Sequence, residues 1–336
     1  MKTISVISAV LNEESNVLEV HRQIKDVFER IAGKYDYEHI FLDNGSTDHT
    51  VDILREMAAR DKRVKVLVHS KNFGPMASTM NGYRHASGDA VICYEANLKD
   101  PPELILTFIE YWEQGYDVIY GIRDKTKDPA WLLFMRKFFY RLVNALANEE
   151  LPKDAGDFRL VDRKVVQELI KLEDYKPYIR GLIASIGFKQ KGVVYQRRAR
   201  PAGKSKSSIG HLIDFAINAI ISYSILPIRL CTYWGLGLAV LSFLSAIVYV
   251  ILKLTVWEAQ IPALAGVIVI LLLFSGIQLF FIGVIGEYVG AIHAQVRKKP
   301  FVVIQEKINF DDRAAREPLR SSQEMNPQMP FVKDLR

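Results

Sequence analysis

Two uncharged apolar segments lie close together in the C-terminal third of this chain. Residues Leu230–Leu252 carry no charged side chain, and neither do residues Ala259–Gly286. At a rise of about 1.5 Å per residue, either segment as an α-helix crosses the roughly 30 Å hydrocarbon core of a membrane. Only residues Lys253–Glu258 separate them. The sequence therefore predicts a helical hairpin that returns the chain to the side from which it started.

Basic residues flank the predicted hairpin on both outer sides. The chain has a net charge of +6. A basic cluster precedes the hairpin and another follows it, whereas Glu258 lies in the short loop between the two segments. The clusters consist of Arg197, Arg198, Arg200, Lys204 and Lys206, and of Arg297, Lys298 and Lys299. By the positive-inside rule, both ends of the hairpin face the cytoplasm. Simple attraction to anionic lipid headgroups is an open alternative for these clusters.

The residues before the hairpin alternate between strand and helix patterns. This alternation predicts an α/β domain with a mainly parallel sheet, built from βαβ units. The predicted strands are Thr3–Val10, Tyr37–Leu42, Val64–Val68, Asp89–Tyr94 and Asp117–Tyr120, with further candidates at Phe158–Val161 and Gly187–Gln196. Amphipathic helices are predicted at Trp131–Leu146 and Ile209–Ser224, the second of them in the membrane interface.

These patterns divide the chain into four regions. We expect a cytoplasmic catalytic domain over residues 1–207 and a juxtamembrane amphipathic helix over residues 208–225. Two transmembrane helices follow within residues 226–290, and a cytoplasmic tail covers residues 291–336.

Polar and acidic side chains follow three of the predicted strands, at Glu13, Asp43 and Glu95. Ligands of open parallel sheets bind at the carboxyl ends of the strands, so these side chains mark the expected site. The chain has neither a G-x-G-x-x-G segment after its first strand nor a G-x-x-x-x-G-K-[ST] segment. This argues against dinucleotide redox chemistry and P-loop phosphoryl transfer. Carboxylates at strand ends can instead hydrogen-bond a base or ribose, or hold a divalent cation.

Eight short motifs, in a fixed order along the chain, match the pattern of a known family. It resembles the membrane-bound polyprenyl-phosphate glycosyltransferases, an inverting GT-A family that includes dolichyl-phosphate mannosyl and glucosyl synthases. Within that family it is most similar to the bacterial branch that acts on undecaprenyl phosphate. The resemblance covers residues 3–305. The motifs are Asn12-Glu13-Glu14, Asp43-Asn44-Gly45-Ser46-Thr47-Asp48, Asn72-Phe73-Gly74, Asp100-Pro101-Pro102-Glu103-Leu104, Gly156-Asp157-Phe158-Arg159-Leu160, Arg180-Gly181, Arg200-x-x-Gly203-x-Ser205-Lys206 and Gly286-Glu287-Tyr288.

The resemblance implies a GT-A (Rossmann-like) catalytic domain and a specific reaction. One sugar would pass from a UDP-glucose-like nucleotide-sugar to undecaprenyl phosphate, with inversion, for modification of cell-envelope glycans. The reaction would take place on the cytoplasmic leaflet of the bacterial inner membrane. The resemblance also implies a divalent cofactor, Mg²⁺ or Mn²⁺, and assembly as a homotetramer. No nucleic-acid partner is expected.

The same resemblance assigns roles to individual residues. An ionised phosphate acceptor hardly needs a general base, so the main tasks of the protein are positioning and charge stabilisation. The donor-binding residues would be Glu13, Asp43, Asn72, Glu95 and Lys99. The catalytic residues would be Asp157, Arg200 and Lys206, and the acceptor phosphate would contact Arg200, Ser205 and Lys206. A metal ion would be held by Glu95 and Asn97.

The chain departs from the family at the motif that holds this metal. The usual D-x-D is Glu95-Ala96-Asn97, and the glutamine that often follows is Lys99. A neutral amide in place of a carboxylate weakens divalent binding, because carboxylate charge tunes affinity. Three interpretations remain open. Glu95 and Asn97 still hold a weakly bound metal, Lys99 substitutes for the metal, or the enzyme has lost activity.

Other departures occur elsewhere in the sequence. The second aspartate of the family's D-D-G-S motif is Asn44, and Pro75 stands where a basic residue is common.

Two functions outside single-sugar transfer are also considered. A processive polysaccharide synthase would carry a Q-x-x-R-W motif, which this sequence lacks. A non-catalytic membrane protein of the same fold would bind a nucleotide-sugar or act as an assembly partner. Binding measured in parallel with turnover distinguishes that protein from an enzyme.

Overall fold

A computed structural model describes residues 1–124, 155–172, 174, 177–198, 226–255, 263–297 and 301–310. Strands and helices alternate along most of the first half of the chain. The strands are β1 (Lys2–Val10), β2 (Tyr35–Asp43), β3 (Val64–His69), β4 (Ala90–Cys93), β5 (Val118–Arg123), β6 (Ala155–Asp162), β7 (Gln190–Tyr195) and β8 (Ile304–Ile308). The helices are α1 (Val17–Glu29), α2 (Thr50–Arg60), α3 (Pro75–His85), α4 (Leu104–Glu113), α5 (Arg163–Lys171), α6 (Ile179–Ser185), α7 (Leu226–Thr255) and α8 (Ala263–Val296).

The strands form one eight-stranded sheet in the order β7-β5-β6-β4-β1-β2-β3-β8. The central strands β4, β1, β2 and β3 are parallel neighbours. β6 is antiparallel to both β4 and β5, and β8 is antiparallel to β3. All strands except β6 and β8 therefore run in one direction. The predicted α/β class and mainly parallel sheet are confirmed.

Helices cover both faces of the sheet, because alternate side chains of the buried strands point to opposite faces. One core packs α1, α2 and α4 against the sheet through residues such as Ile24, Leu54 and Phe108. The other core packs α3 and α5 through residues such as Met80 and Leu169. Burial on both faces leaves the carboxyl-end loops of the strands as the place where polar side chains can gather.

The strand β8 lies after the apolar helices in sequence but belongs to the same sheet. It pairs with the edge strand β3, and Glu306 forms an ion pair with Arg55 of α2 at 2.7 Å. The side chain of Asn309 donates to the carbonyls of Ala58 and Val64 at 2.7 and 2.8 Å. The sequence pattern does not predict a strand at β8. Five residues that alternate between exposed and half-buried positions give a weak signal when only one face is covered.

The described residues of both apolar segments are helical and lie in α7 and α8, which contact each other. Many of their large apolar side chains are exposed, including Phe243 at 68% and Phe280 at 67%. Within the described residues, one stretch is long and apolar enough to cross a membrane, Phe274–His293 of α8, with a mean hydropathy of 1.5. A membrane-spanning hairpin that also includes α7 stays a prediction.

Several sequence predictions lie outside the described residues. They are the helices at Trp131–Leu146 and Ile209–Ser224, together with Arg200, Ser205 and Lys206 in the region of the basic cluster that precedes the hairpin.

Candidate active site

The polar residues singled out in the sequence follow the carboxyl ends of neighbouring strands. Asp43 is the last residue of β2, Glu13 lies three residues beyond β1, and Glu95 lies two residues beyond β4. Asp157 is near the start of β6, which is antiparallel to β4 and so begins at the same edge of the sheet. The topology therefore brings the candidate donor and transfer residues to one edge.

The loops after β1 and β2 are joined by hydrogen bonds. Asn12 adopts a left-handed backbone conformation (φ 51°), and its side-chain oxygen accepts from the Thr47 backbone N–H at 2.8 Å. The Asn12 N–H in turn donates to the Ser46 hydroxyl at 2.8 Å. The Glu13 N–H donates to the Thr50 hydroxyl at 2.9 Å, and its carboxylate accepts from the Asn16 amide. Glu13 is thus held at the rim of the loop that follows Asp43.

Asp43 forms the centre of a tight turn. One of its carboxylate oxygens accepts the backbone N–H groups of Gly45 and Ser46, both at 3.1 Å. The other oxygen, Oδ1, is buried and has no hydrogen-bond partner within the described part of the chain. Gly45 has a φ of +79°, and a Cβ there would lie 2.9 Å from the Lys71 backbone. Only glycine fits this turn, which leaves one buried carboxylate oxygen of Asp43 with unused acceptor capacity.

Asn44 is the hub of a neutral hydrogen-bond network. Its Nδ2 donates to Asn72 Oδ1 at 2.8 Å, and its Oδ1 accepts the Phe73 N–H at 2.9 Å. The Asn72 oxygen also accepts the Gly74 N–H at 2.8 Å. An aspartate at position 44 could not donate to Asn72, so the amide suits this network. The side-chain oxygen of Asn72 holds the loop before α3, a structural task beside the donor contact expected from the sequence.

The loop that replaces the D-x-D motif is folded on itself. The Asn97 side-chain amide donates to Glu95 Oε2, and its oxygen accepts the Lys99 N–H at 3.0 Å. The Lys99 carbonyl accepts the Arg198 N–H at 2.8 Å. The structure thus brings Glu95, Asn97 and the backbone of Lys99 together, as expected, and ties them to the basic segment that follows β7.

Arginines occupy both oxygens of Glu95. Arg123 Nη2 donates to Oε1 at 3.2 Å, and Arg197 Nη2 donates to Oε2 at 2.6 Å. Arg197 also donates from Nε to Asp100 Oδ1 at 2.8 Å, and the Tyr195 hydroxyl donates to the same oxygen at 2.5 Å. Asp100 is fully buried. These contacts fix the Arg197 guanidinium beside Glu95.

Asp157 is held by a different arginine, Arg180. Arg180 donates to both carboxylate oxygens, at 2.8 and 2.6 Å, and the Arg159 guanidinium lies 3.9 Å away. Burial raises the pKa of the Asp157 carboxyl, but the nearby guanidinium groups, Arg180 first, outweigh it and lower the pKa to about 2. Asp157 is therefore a carboxylate at every physiological pH. A general base accepts a proton during turnover, and a group this acidic is poorly suited to that task.

A cavity of about 240 Å³ opens between Glu95 and Asp157. Its apolar wall includes Met76, Cys93 and Ile179. Tyr83 also lines this cavity, and its buried hydroxyl has no hydrogen-bond partner among the residues that the structure describes. Burial raises the pKa of that phenol, which stays protonated and able to donate. The cavity thus combines Glu95, Asp157 and Arg159 with a largely apolar wall.

The donor set at the D-x-D position does not fit a divalent metal. Mg²⁺ and Mn²⁺ prefer carboxylate oxygens, but both oxygens of Glu95 accept from guanidinium groups and Asn97 is neutral. Across the described ranges, no group of three or more His, Cys, Asp and Glu side chains is arranged to hold a metal ion.

The sequence-based prediction missed five residues of this site: Arg123, Arg159, Arg180, Arg197 as a partner of Glu95, and Tyr83. Arg159 and Arg180 stand inside motifs that the sequence analysis quoted, and Arg197 stands in its basic cluster. Arg123 is the last residue of β5, so its position at a strand end was the available signal. Tyr83 lies within a helix, where the sequence does not distinguish a core tyrosine from one that reaches a cavity.

Comparisons with known proteins agree with this geometry. The model of the family described as glycosyl transferase family 2 matches residues 5–170. The chain is 37% identical to an uncharacterized glycosyltransferase, YkcC of Bacillus subtilis, over 92% of this chain and 95% of that protein. It is 33% identical to the bactoprenol glucosyl transferase of Shigella phage SfII, over 90% of this chain and 97% of that protein.

Among solved structures, glucosyl-3-phosphoglycerate synthase from Mycobacterium tuberculosis is similar with a TM-score of 0.43 and 20% identity, over 66% of this chain and 79% of that one. That likeness is too low to inform the chemistry. The family match, the extended identity to family members and the mostly parallel sheet support one conclusion. The chain belongs to glycosyl transferase family 2, and it is a glycosyltransferase with a GT-A fold.

Proposed function

We propose that this protein transfers one sugar from a nucleotide-sugar to a polyprenyl phosphate, undecaprenyl phosphate in a bacterial membrane, with inversion at the anomeric carbon. The observation that carries this proposal is the cavity flanked by Glu95 and Asp157, each paired with arginines. Arginine is the side chain best matched to phosphate oxygens. Relatives named bactoprenol glucosyl transferase, similar over nine-tenths of the chain, favour a lipid phosphate as the acceptor and glucose as the sugar.

The loops after β1 and β2 suit the nucleoside part of the donor. The free acceptor capacity of Asp43 Oδ1 suits an N–H donor such as N3–H of uracil or N1–H of guanine. Glu13, at the rim of the same loop, is proposed to bind the ribose. Asn72 then acts through the network of Asn44, by shaping the loop before α3.

The cavity suits the sugar, with the donor diphosphate and the acceptor phosphate on either side of it. An acceptor phosphate oxygen forms the new bond to the anomeric carbon as the bond from that carbon to the donor diphosphate breaks. The leaving nucleoside diphosphate keeps the electron pair, and no proton has to move because the attacking oxygen is already ionised. Asp157 then serves to hold Arg180 and Arg159 in place. This is catalysis by positioning and charge stabilisation.

The residues beyond the described site complete the proposal for the acceptor. Arg200, Ser205 and Lys206 are proposed to bind the lipid phosphate. In support, the backbone of Arg198 is hydrogen-bonded to Lys99, so the segment leading to these residues is tied to the donor loop.

The apolar helices support a membrane location for this chemistry. α7 and α8 expose large apolar side chains along their length, which water does not favour. We propose that both cross the inner membrane with the catalytic domain on its cytoplasmic side, in keeping with the flanking basic residues. β8, which follows α8 by a few residues and joins the sheet, would hold the site near the membrane surface. Glycines at positions 235, 237, 276, 283 and 286 suit close helix packing, which supports a homo-oligomer such as a tetramer.

A transfer assay with the purified full-length protein tests the proposed function. The protein in lipid nanodiscs that contain undecaprenyl phosphate is given radiolabelled UDP-glucose, UDP-N-acetylglucosamine or GDP-mannose. We expect label from one donor to enter the lipid phase as an acid-labile glycosyl phosphate. Undecaprenol, which lacks the phosphate, should accept nothing. Binding of a donor without any lipid-linked product would contradict the proposal and favour a nucleotide-sugar-binding protein.

A further inference from the structure

The Glu95 carboxylate is already neutralised by side chains of this chain. Arg123, at the end of β5, and Arg197, two residues beyond β7, approach its two oxygens at 3.2 and 2.6 Å. In a D-x-D site the corresponding carboxylates attract a divalent cation, which in turn binds the donor diphosphate. Here, two guanidinium groups stand where that cation's charge would be, and the second carboxylate of the motif is the neutral Asn97.

Arg197 is built into the protein rather than free to swing. It shares the buried Asp100 with the hydroxyl of Tyr195, and these contacts involve both Nε and Nη2. The pKa of the Arg197 guanidinium is raised above its usual value, because its hydrogen bond to Asp100 and the charges of Glu95 and Asp100 outweigh the effect of burial. This arginine is a fixed positive charge beside Glu95, which lines the cavity.

Arg123 is placed between the two carboxylates of the site. It bonds Glu95, and its charge contributes to the low pKa of Asp157. Its Nε is buried and has no hydrogen-bond partner within the described ranges. Gly156 leaves room for it, because a Cβ there would lie 3.4 Å from Arg123 Nε and 3.3 Å from the Gly121 carbonyl oxygen. Arg123 therefore has both a defined position and unused donor capacity.

We propose that Arg123 and Arg197 bind the donor diphosphate directly and take the place of the divalent metal, so that sugar transfer by this protein needs no metal ion. The inference rests on the proposed function and assigns the charge at its leaving group. Glu95 holds the two guanidinium groups in position. When the donor binds, some of their hydrogen bonds pass from Glu95 to the diphosphate. As the bond from the anomeric carbon to the diphosphate breaks, the electron pair goes to the diphosphate oxygen, and the two arginines stabilise the added negative charge.

Two other sources of charge were open from the sequence. A weakly bound metal on Glu95 and Asn97 would have to displace both arginines from Glu95, and Arg197 is held by a buried carboxylate. Lys99 shapes the loop through its backbone N–H and carbonyl, which bond Asn97 and Arg198. Diphosphate binding needs a smaller change, because the two arginines only exchange contacts with Glu95 for contacts with the ligand, and Arg197 keeps its contacts with Asp100.

Nucleotide binding separates these possibilities without relying on turnover. The full-length protein is titrated by calorimetry with UDP and GDP, and with UMP and GMP, in excess EDTA and in Mn²⁺. Whichever of UDP and GDP binds more tightly should bind with the same affinity in EDTA and in Mn²⁺, within about twofold. Paramagnetic resonance of Mn²⁺ should show no signal loss attributable to wild-type protein, with or without the diphosphate. Tight Mn²⁺ binding that Glu95→Gln abolishes would overturn the inference.

Substitutions identify the side chains that carry the charge. Arg123→Gln and Arg197→Gln should each weaken binding of the diphosphate about tenfold or more, the scale of losing a charge-assisted hydrogen bond, and leave monophosphate binding nearly unchanged. Arg22→Gln is the matched control, because Arg22 forms ion pairs on the exposed face of α1. Lys99→Gln should have less effect than either arginine substitution. If Lys99→Gln alone weakens diphosphate binding, the charge belongs to Lys99.

The folding of the variants and the proposed function are controlled separately. Arg197→Gln leaves Asp100 without its charged partner, so its thermal melting is measured; Arg123→Gln and the wild-type titrations do not depend on that variant. Lipid-linked product that forms only with Mg²⁺ or Mn²⁺ would contradict the arginine inference and leave the proposed function intact. Metal-independent diphosphate binding with no lipid-linked product from any donor would contradict the proposed function while the arginine assignment stands.

Discussion

Asp43 and Asp157 lie at the same edge of one sheet, yet their partners differ in kind. Asp43 accepts two backbone N–H groups of its own turn and retains one buried oxygen without a partner in the described structure. Asp157 has both oxygens taken by Arg180 and two further arginines nearby. The first carboxylate has spare acceptor capacity, which we propose serves the nucleoside. The second holds guanidinium groups, which we propose serve the phosphates.

The same contrast extends to the surroundings of each carboxylate. The network of Asn44, Asn72 and His69 beside Asp43 consists of neutral groups, and burial lowers the pKa of His69 to about 4, so it is uncharged at neutral pH. The surroundings of Asp157 contain the ion pairs of Glu95, Arg123 and Arg197. A nucleoside base offers neutral donors, and phosphates offer charge. Under the proposed function, the difference between the two regions matches the chemistry of the two parts of the donor.

The largest effect is expected from Asp157→Asn, which breaks the charged half of the site. The amide cannot hold Arg180 through two charged hydrogen bonds, so the guanidinium groups lose the positions that transfer needs. Turnover should fall by about 10²–10³-fold, the loss typical of one preorganised electrostatic group. Nucleoside monophosphate binding should stay within about threefold, because that half of the site is untouched. Initial rates and calorimetry measure the two quantities. Weakened monophosphate binding with normal turnover would contradict the division of the site into a nucleoside half and a phosphate half.

Asp43→Asn tests the nucleoside half. The amide oxygen can still serve the Gly45 and Ser46 N–H groups, but an NH₂ group then faces the base where an acceptor is needed. We expect donor and monophosphate affinity to fall by about 10- to 100-fold, equivalent to about 1–3 kcal/mol for an unsatisfied polar pair. Pyrophosphate binding should not change. Asp36→Asn, at the opposite end of β2, is the control. Equal loss of pyrophosphate affinity would show that Asp43 acts on the phosphates instead.

A smaller effect is expected from Tyr83→Phe, which removes the buried, unpartnered hydroxyl of a residue that lines the cavity within the described part of the chain. If the sugar occupies this cavity, loss of one hydrogen bond should lower kcat/KM by about fivefold to tenfold. Affinity for the nucleoside diphosphate, which has no sugar to place there, should not change. Tyr37→Phe is a matched control, because Tyr37 also has a buried hydroxyl without a partner in the described part of the chain but lines no part of this cavity. An equal effect of both substitutions would indicate a general packing defect.

The smallest effect is expected on stability, from Asn44→Asp. At pH 7.5 the variant loses the donation to Asn72 and should melt at a lower temperature, equivalent to about 1–2 kcal/mol. In the wild type, the pKa of His69 is lowered from 6.5 to about 4, so the contribution of neutral His69 is fully present above pH 6.5 and declines as the pH falls toward 4. A carboxylate at position 44 would raise the pKa of His69 and reduce that decline.

Melting temperatures at pH 7.5 and pH 5.5 check this prediction. The wild type and the variant should differ less at the lower pH. Adding His69→Gln to both proteins should remove the convergence. A gap that widens on acidification would contradict the assigned role of His69.

The sequence predicts the parallel core and the edge where the site forms, because strand periodicity and the polar residues after Val10, Asp43 and Cys93 are local signals. It does not predict β8 or the partners of Glu95. β8 is a short edge strand far along the chain from β3, and its pairing is visible only once the sheet exists. Arg123 and Arg197 are separated from Glu95 by 28 and 102 residues. Such long-range ion pairs depend on strand order, which no local pattern encodes.

The pH dependence of kcat tests most directly whether transfer relies on positioned charge instead of a general base. The pKa of Asp157 is about 2, so this group does not titrate in the working range, and the arginines stay charged. The proposed contacts of Arg200 and Lys206 keep the bound acceptor phosphate ionised. With both substrates saturating, kcat for lipid-linked product should therefore be flat from about pH 6 to pH 9. An acidic limb with a pKa near 7 that persists at saturation would show a titrating base and contradict the account.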